Sequence, residues 1–156
     1  MGTLTKGNAA EAAVLNAFVK RGLDVLVPFG EGQPYDLVVH LPGDVFLRVQ
    51  CKNARWDRGC VVFNGRTTDH GRGRLTYKGL ADAFGVFEPR RCGVYLVPVA
   101  HVPGYEGRLR VHPTRNNQRL KVRHAKEYEI DRWTPEQLAT VARAGQSAHT
   151  ELKLIA

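Results

Sequence analysis

Hydrophobic positions change their spacing several times along this chain, and each change marks an element. In NAAEAAVLNAFVKRG, residues Ala10, Val14, Ala17 and Phe18 recur at the three- and four-residue intervals that line one face of a helix. Asn8 is the expected N-cap and Gly22 the stop. DVLVPFGEG then reads as a short strand entering a glycine-bearing loop, and in YDLVVHLPGDVFLRVQCKN apolar residues alternate on both sides of PGD, which predicts an antiparallel hairpin. From Asn64 to Lys78, NGRTTDHGRGRLTYK keeps neither period and predicts an exposed basic loop. LADAF predicts a short helical turn, and CGVYLVPVAHV a buried strand. TPEQLATVARAG predicts a C-terminal helix, with Thr134 and Gln137 as a capping box, Pro135 at the first helical position and Gly145 as the stop. This order predicts an α/β fold, a single domain with a central mixed β-sheet flanked by helices, over residues 1–145 with a C-terminal tail at 146–156.

One strand breaks the apolar pattern in a particular way. RVQCKN carries Arg48, Gln50 and Lys52 on alternate positions, and long polar side chains on a strand need partners. Centring the hairpin turn on Gly43 sets Asp36 opposite Gln50 and two places from Lys52, so all of these share a face, with Leu47, Val49 and Cys51 on the other. Taken alone, such a group reads as a salt bridge with a hydrogen bond beside it. Glu11 widens the choice. Ala9, Ala12 and Ala13 around it let its helix approach a sheet closely, although NAAE also reads as a capping box in which Glu11 reaches back to Asn8.

Charge adds a partner class. The 156 residues include 23 Lys and Arg against 15 Asp and Glu, a formal net charge of +8, and that excess suits a polyanion, with nucleic acid foremost. The surplus lies after Leu47, where twenty basic residues face ten acidic ones, while the first 47 residues hold three and five. Candidate DNA contacts are Arg48 and Arg55, then Arg66, Arg72, Arg74 and Lys78 in the basic loop, then Arg115, Asn117 and Arg119 in a second basic stretch. Arg48 reads equally well as a partner for Asp36, any single residue of the basic loop also reads as solvated surface, and a plain polar turn is the commoner meaning of RNNQ. Cys51, Cys60 and Cys92 have no zinc spacing and are odd in number, which predicts free thiols in a reducing, cytoplasmic compartment. The chain has no apolar run that spans a membrane, so no membrane partner is expected.

KGNAAEAAV, PYDLVV and FLRVQCKNAR together resemble the PD-(D/E)xK nuclease superfamily, whose parts are a glutamate in the first helix, an aspartate starting one strand, and an acidic residue two places before a lysine on the next. YKGLADAFGVFEPRRCGVYLVPV and LRVHPTRNNQ further resemble the group I intron-encoded homing endonucleases that use this fold. The resemblance implies a restriction endonuclease-like core and a Mg²⁺-dependent endonuclease, with Mn²⁺ able to substitute, that hydrolyses phosphodiesters of double-stranded DNA and leaves 5′-phosphates. Asp36 would bind the metal, the Gln50 side-chain oxygen and the Cys51 backbone carbonyl would add hard oxygen ligands, Glu11 would act through water, and Lys52 would orient or deprotonate the attacking water. Gln50 stands where the superfamily usually has a carboxylate, as it does in some members of the intron-encoded branch. A chain this short implies a homo-oligomer, dimer or tetramer, on a long duplex site. A Holliday junction resolvase or restriction-type nuclease on the same fold, and a DNA-binding protein that has lost activity, are the alternatives.

Overall fold

A computed structural model describes residues 2–69, 73–113 and 121–155. Helix α1 (Thr3–Lys20) leads into β1 (Asp24–Leu26), β2 (Leu37–Leu41) and the long β3 (Val45–Asn53). Three short strands follow, β4 (Arg55–Asp57), β5 (Cys60–Asn64) and β6 (Arg66–Asp69), then β7 (Gly73–Thr76), β8 (Ala83–Glu88), β9 (Gly93–Pro98) and β10 (Glu106–Arg110). A single helical turn, α2 (Ala125–Tyr128), and α3 (Pro135–Ile155) complete the chain. The central sheet has the order β1-β2-β3-β8-β9, antiparallel except for the β3–β8 pair, so it is mixed as expected.

Alternation along β8 and β9 separates two cores. Ala83 and Leu96 join Leu37, Val39, Leu47 and Val49 under Val14 and Phe18 of α1 and Leu138, Ala139 and Ala142 of α3. Phe84, Val86, Tyr95 and Val97 point the other way and pack with Val61, Phe63 and Leu109 of a smaller sheet, ordered β10-β5-β4. Gln50 pairs with Phe84 and Lys52 with Val86, which places the polar side of β3 on this second face.

Four expectations change at the level of elements. Helix α1 starts at Thr3, not after Asn8, and Asn8 lies exposed inside it. Only Gly7 interrupts the upstream residues, and one helical glycine costs about 1 kcal/mol, too little to end a packed helix. The NAAE capping box is therefore absent and Glu11 is free for other work. The basic loop is a two-stranded ribbon, with Arg66 opposite Thr76 and Thr68 opposite Arg74, because its β-branched threonines on either side of a glycine-rich stretch favour extended pairing. LADAF makes no helix: a turn at Lys78–Leu80 runs directly into β8. Finally, α3 continues through Gly145 to Ile155. Gly145 serves packing, since a Cβ there would lie 2.0 Å from Asp82 Oδ1. The Thr134–Gln137 capping box holds, each backbone N–H donating to the other side chain at 2.9 and 3.2 Å.

Candidate active site

The hairpin of β2 and β3 pairs Leu37 with Val49 and Leu41 with Val45, the register that the turn at Gly43 implied. Asp36 lies one residue before β2, and its N–H donates to Val49 O at 2.9 Å. Its carboxylate oxygen Oδ2 accepts from Gln50 Nε2 at 2.5 Å and from the Cys51 N–H at 2.7 Å. Gln50 Nε2 also donates to Cys51 O at 3.3 Å. Two oxygens of different residues thus converge on one positively polarised amide.

Glu11 joins the group from α1. A Cβ on Gly85 would lie 2.6 Å from Val14 Cγ1, so the missing side chain on β8 lets α1 press onto the sheet one turn past Glu11. Partial burial raises the Glu11 pKa and the neighbouring Asp36 carboxylate raises it further. Asp36 is also raised, by burial, although the Cys51 N–H, the Lys52 charge and the Gln50 amide each pull it back. Burial pushes the Cys51 thiol well above its ordinary range, with Asp36 and Glu11 adding to the shift. It stays a protonated thiol, so the oxygen of Cys51 available to a cation is its backbone carbonyl.

Lys52 reaches past this cluster. Its Nζ donates to the Tyr77 hydroxyl at 3.0 Å and to Arg66 O at 3.4 Å, and lies 4.6 Å from the Tyr77 ring centre. Arg48, on the same face, does not pair with Asp36. It forks onto the buried Asp82, with Nη2 on Oδ1 at 2.7 Å and Nε on Oδ2 at 3.2 Å, while its backbone N–H donates to Oδ2 at 2.8 Å and Nη1 to Gly79 O at 3.2 Å. The guanidinium is thus engaged within the fold, with its partner Asp82 in place of Asp36.

Structure brings Glu11, Asp36, Gln50, Cys51 and Lys52 together and spreads the basic candidates more widely. Arg55 is exposed and pairs with Glu106 at 2.7 Å, and the Arg66 guanidinium lies over the Tyr105 ring. Lys78 is exposed at the turn after the ribbon and Arg74 is on β7. Arg72, Arg115, Asn117 and Arg119 lie outside the described residues. Asp82 and Tyr77 escaped the sequence reading. A single acid inside the apolar run LADAF was a usable signal for Asp82, whereas one tyrosine at the end of a basic stretch carries none.

A family model described as PD-(D/E)XK endonuclease matches residues 1–131. The chain belongs to the PD-(D/E)XK endonuclease family. A solved bacterial homing endonuclease, I-Ssp6803I, is similar to it at 25% identity and a TM-score of 0.68, with 94% of this chain and 97% of that one covered. No curated protein matches the sequence. PD-(D/E)XK nucleases generally use divalent metals, and the oxygen donors around Asp36 fit one. Among the described residues no three His, Cys, Asp or Glu side chains gather as a ligand set, so two carboxylates must be completed by neutral oxygens. Asp36 Oδ2 and Cys51 O already share one positive donor, the Gln50 amide, and turning that amide over presents its oxygen to the same space. The set is all hard oxygen, suited to a small divalent cation.

Proposed function

We propose that this endonuclease is a Mg²⁺-dependent, site-specific nuclease of homing type that hydrolyses phosphodiesters in duplex DNA, with Mn²⁺ able to substitute. The observation that carries it is the convergence of Asp36 Oδ2 and Cys51 O on a single donor beside a lysine on the same strand face. Asp36, Cys51 O and Gln50 Oε1 would hold the cation, and Glu11 would act through water. When bound, the cation supplies charge stabilisation at the phosphate and a more acidic water. Lys52 orients the attacking water and donates to the phosphate oxygens as charge develops on them. The exposed basic side chains hold the DNA backbone.

The test is incubation of the protein with a long duplex of many sequences, with Mg²⁺, Mn²⁺ or chelator. Cleavage at one defined site that chelator abolishes is the expected result. Cutting of branched junctions in preference to duplex would point to a resolvase. Binding without cleavage at any Mg²⁺ or Mn²⁺ concentration would support a DNA-binding relic, which the amide at Gln50 favours. We further propose that the protein works inside the cell as a dimer or tetramer. Val27 and Phe29, 64% and 102% exposed, are apolar side chains suited to a covered surface. Light scattering, with and without DNA, measures the assembly.

Gln50→Glu tests the ligand set from the other side. The added charge lowers the Mg²⁺ concentration needed for half-maximal cleavage, by about three- to tenfold. In metal-free protein the same change replaces a hydrogen bond to Asp36 with a third carboxylate near Glu11 and Asp36, so the melting temperature falls and Mg²⁺ restores it. Paired thermal melts with and without metal check both signs.

The ribbon gives a separate expectation. Reversing charge at Arg72 and Arg74 lessens the dependence of log affinity on log salt by about 2 if both touch phosphates. An unchanged slope for the double variant would remove the ribbon from the backbone interface.

A further inference from the structure

The two acceptors of Lys52 come from the two strands at the base of the same ribbon. Arg66, whose carbonyl lies 3.4 Å from Nζ, is the first residue of β6, and Tyr77, whose hydroxyl lies 3.0 Å away, directly follows β7. Those ends are anchored to the body of the protein. Tyr77 is 5% exposed, its ring meets Phe84 edge-on at 5.3 Å, and its carbonyl accepts from Leu80 and Ala81 at 2.9 and 3.1 Å. Gly65 N–H donates to Tyr105 O at 2.9 Å and Arg66 N–H to Asn64 Oδ1 at 2.9 Å. Lys52 itself has four flexible torsions, and an unanchored ammonium at the end of them would sample many orientations.

We propose that Tyr77 is a positioning residue for Lys52: its hydroxyl, together with Arg66 O, fixes the ammonium whose charge acts on Asp36 and ties it to the base of the basic ribbon. This inference rests on the nuclease reading and deepens it. A lysine held by the feet of the basic ribbon follows that ribbon when it seats, so the seated state and the working orientation of the lysine are linked. Neither Tyr77 nor Arg66 O touches the reacting atoms in this account; both act through Lys52.

Tyr77→Phe tests it, because the ring stays against Phe84 and only the acceptor is lost. The expected result is a fall of about tenfold in the single-turnover cleavage rate, with DNA affinity and the half-saturating Mg²⁺ concentration within about twofold of wild type. In a Lys52→Arg background the same change should cost much less than tenfold, since the side chain through which Tyr77 acts is gone. A readout without cleavage comes from the lysine ammonium resonances, with Lys52 assigned by its loss in Lys52→Arg. In wild type that signal should show slow hydrogen exchange, and in Tyr77→Phe it should exchange faster. An unchanged cleavage rate in a folded Phe variant would overturn the inference and leave the nuclease reading standing. A rapidly exchanging Lys52 ammonium in wild type would overturn it too, even if the Phe variant failed to fold. Wild-type protein that cuts no DNA with any metal would remove the nuclease reading, and this inference with it.

Discussion

Asp36→Asn is expected to lower cleavage by a factor on the order of 10³ while leaving DNA affinity within a few-fold of wild type. In the proposed site this carboxylate is the one charged ligand on the hairpin, whereas the proposed DNA contacts are spread over many basic side chains. Lys52→Ala should behave alike in both respects. Stability separates the two. Burial raises the Asp36 pKa, so the folded, metal-free protein binds a proton there more tightly than the unfolded chain does. Its contribution to folding is therefore present at low pH and is lost as pH rises through the raised pKa of the folded state. Asparagine has no charge to desolvate and its oxygen still accepts from Cys51 and Gln50. The metal-free variant should accordingly melt no lower than wild type at neutral pH, and Mg²⁺ should no longer raise its melting temperature. Melting curves with and without Mg²⁺, beside single-turnover cleavage, check both parts; an Asn variant that cuts at a near wild-type rate would dismantle the assigned site.

Asp82→Ala is expected to destabilise the fold by about 3–5 kcal/mol, the usual cost of leaving one member of a buried ion pair alone. The Asp82 side chain is 0% exposed and that of Arg48 17%, so water does little to rescue the arginine. The loss also opens a void under Gly145, where α3 makes its close approach. For a chain of this length the melting temperature should fall by about 10 °C. Replacing both residues, Arg48→Met with Asp82→Leu, should recover much of the difference because no charge is left stranded. If the double variant is no more stable than Asp82→Ala, packing around Gly145 and not the ion pair dominates.

Local chemistry was readable in the sequence, and long-range partnership was not. The turn at Gly43 sets the hairpin register, and so the position of Asp36 against Gln50, from residues fewer than fifteen apart. Thr134 and Gln137 likewise cap α3 within one turn. β8 was missed because five of its six residues are buried and it pairs on both sides, so AFGVFE shows no alternation. The pairing of Arg48 with Asp82, 34 residues away, depends on that strand. The ribbon was hidden for the opposite reason: RTTD and GRLT carry one large apolar residue between them, Leu75, so no hydrophobic alternation marks either strand. Gly145 looked like a helix stop since glycine's usual role there is conformational, and only the approach of Asp82 reveals its use in packing.

The single parallel pairing of the central sheet, β3 with β8, has a consequence for the order in which the molecule assembles. Asp36, Gln50 and Cys51 meet through a hairpin that closes over a few residues, a fast and local event. Lys52, one position further along the same strand, meets the Tyr77 hydroxyl only after the chain has doubled back through the ribbon, and Arg48 meets Asp82 only when β8 arrives beside β3. The slow step of contact formation thus falls on the lysine side of the site. In refolding, the proposed oxygen ligands should be in place before the lysine is fixed, so the capacity to bind a cation should return earlier than the capacity to cut.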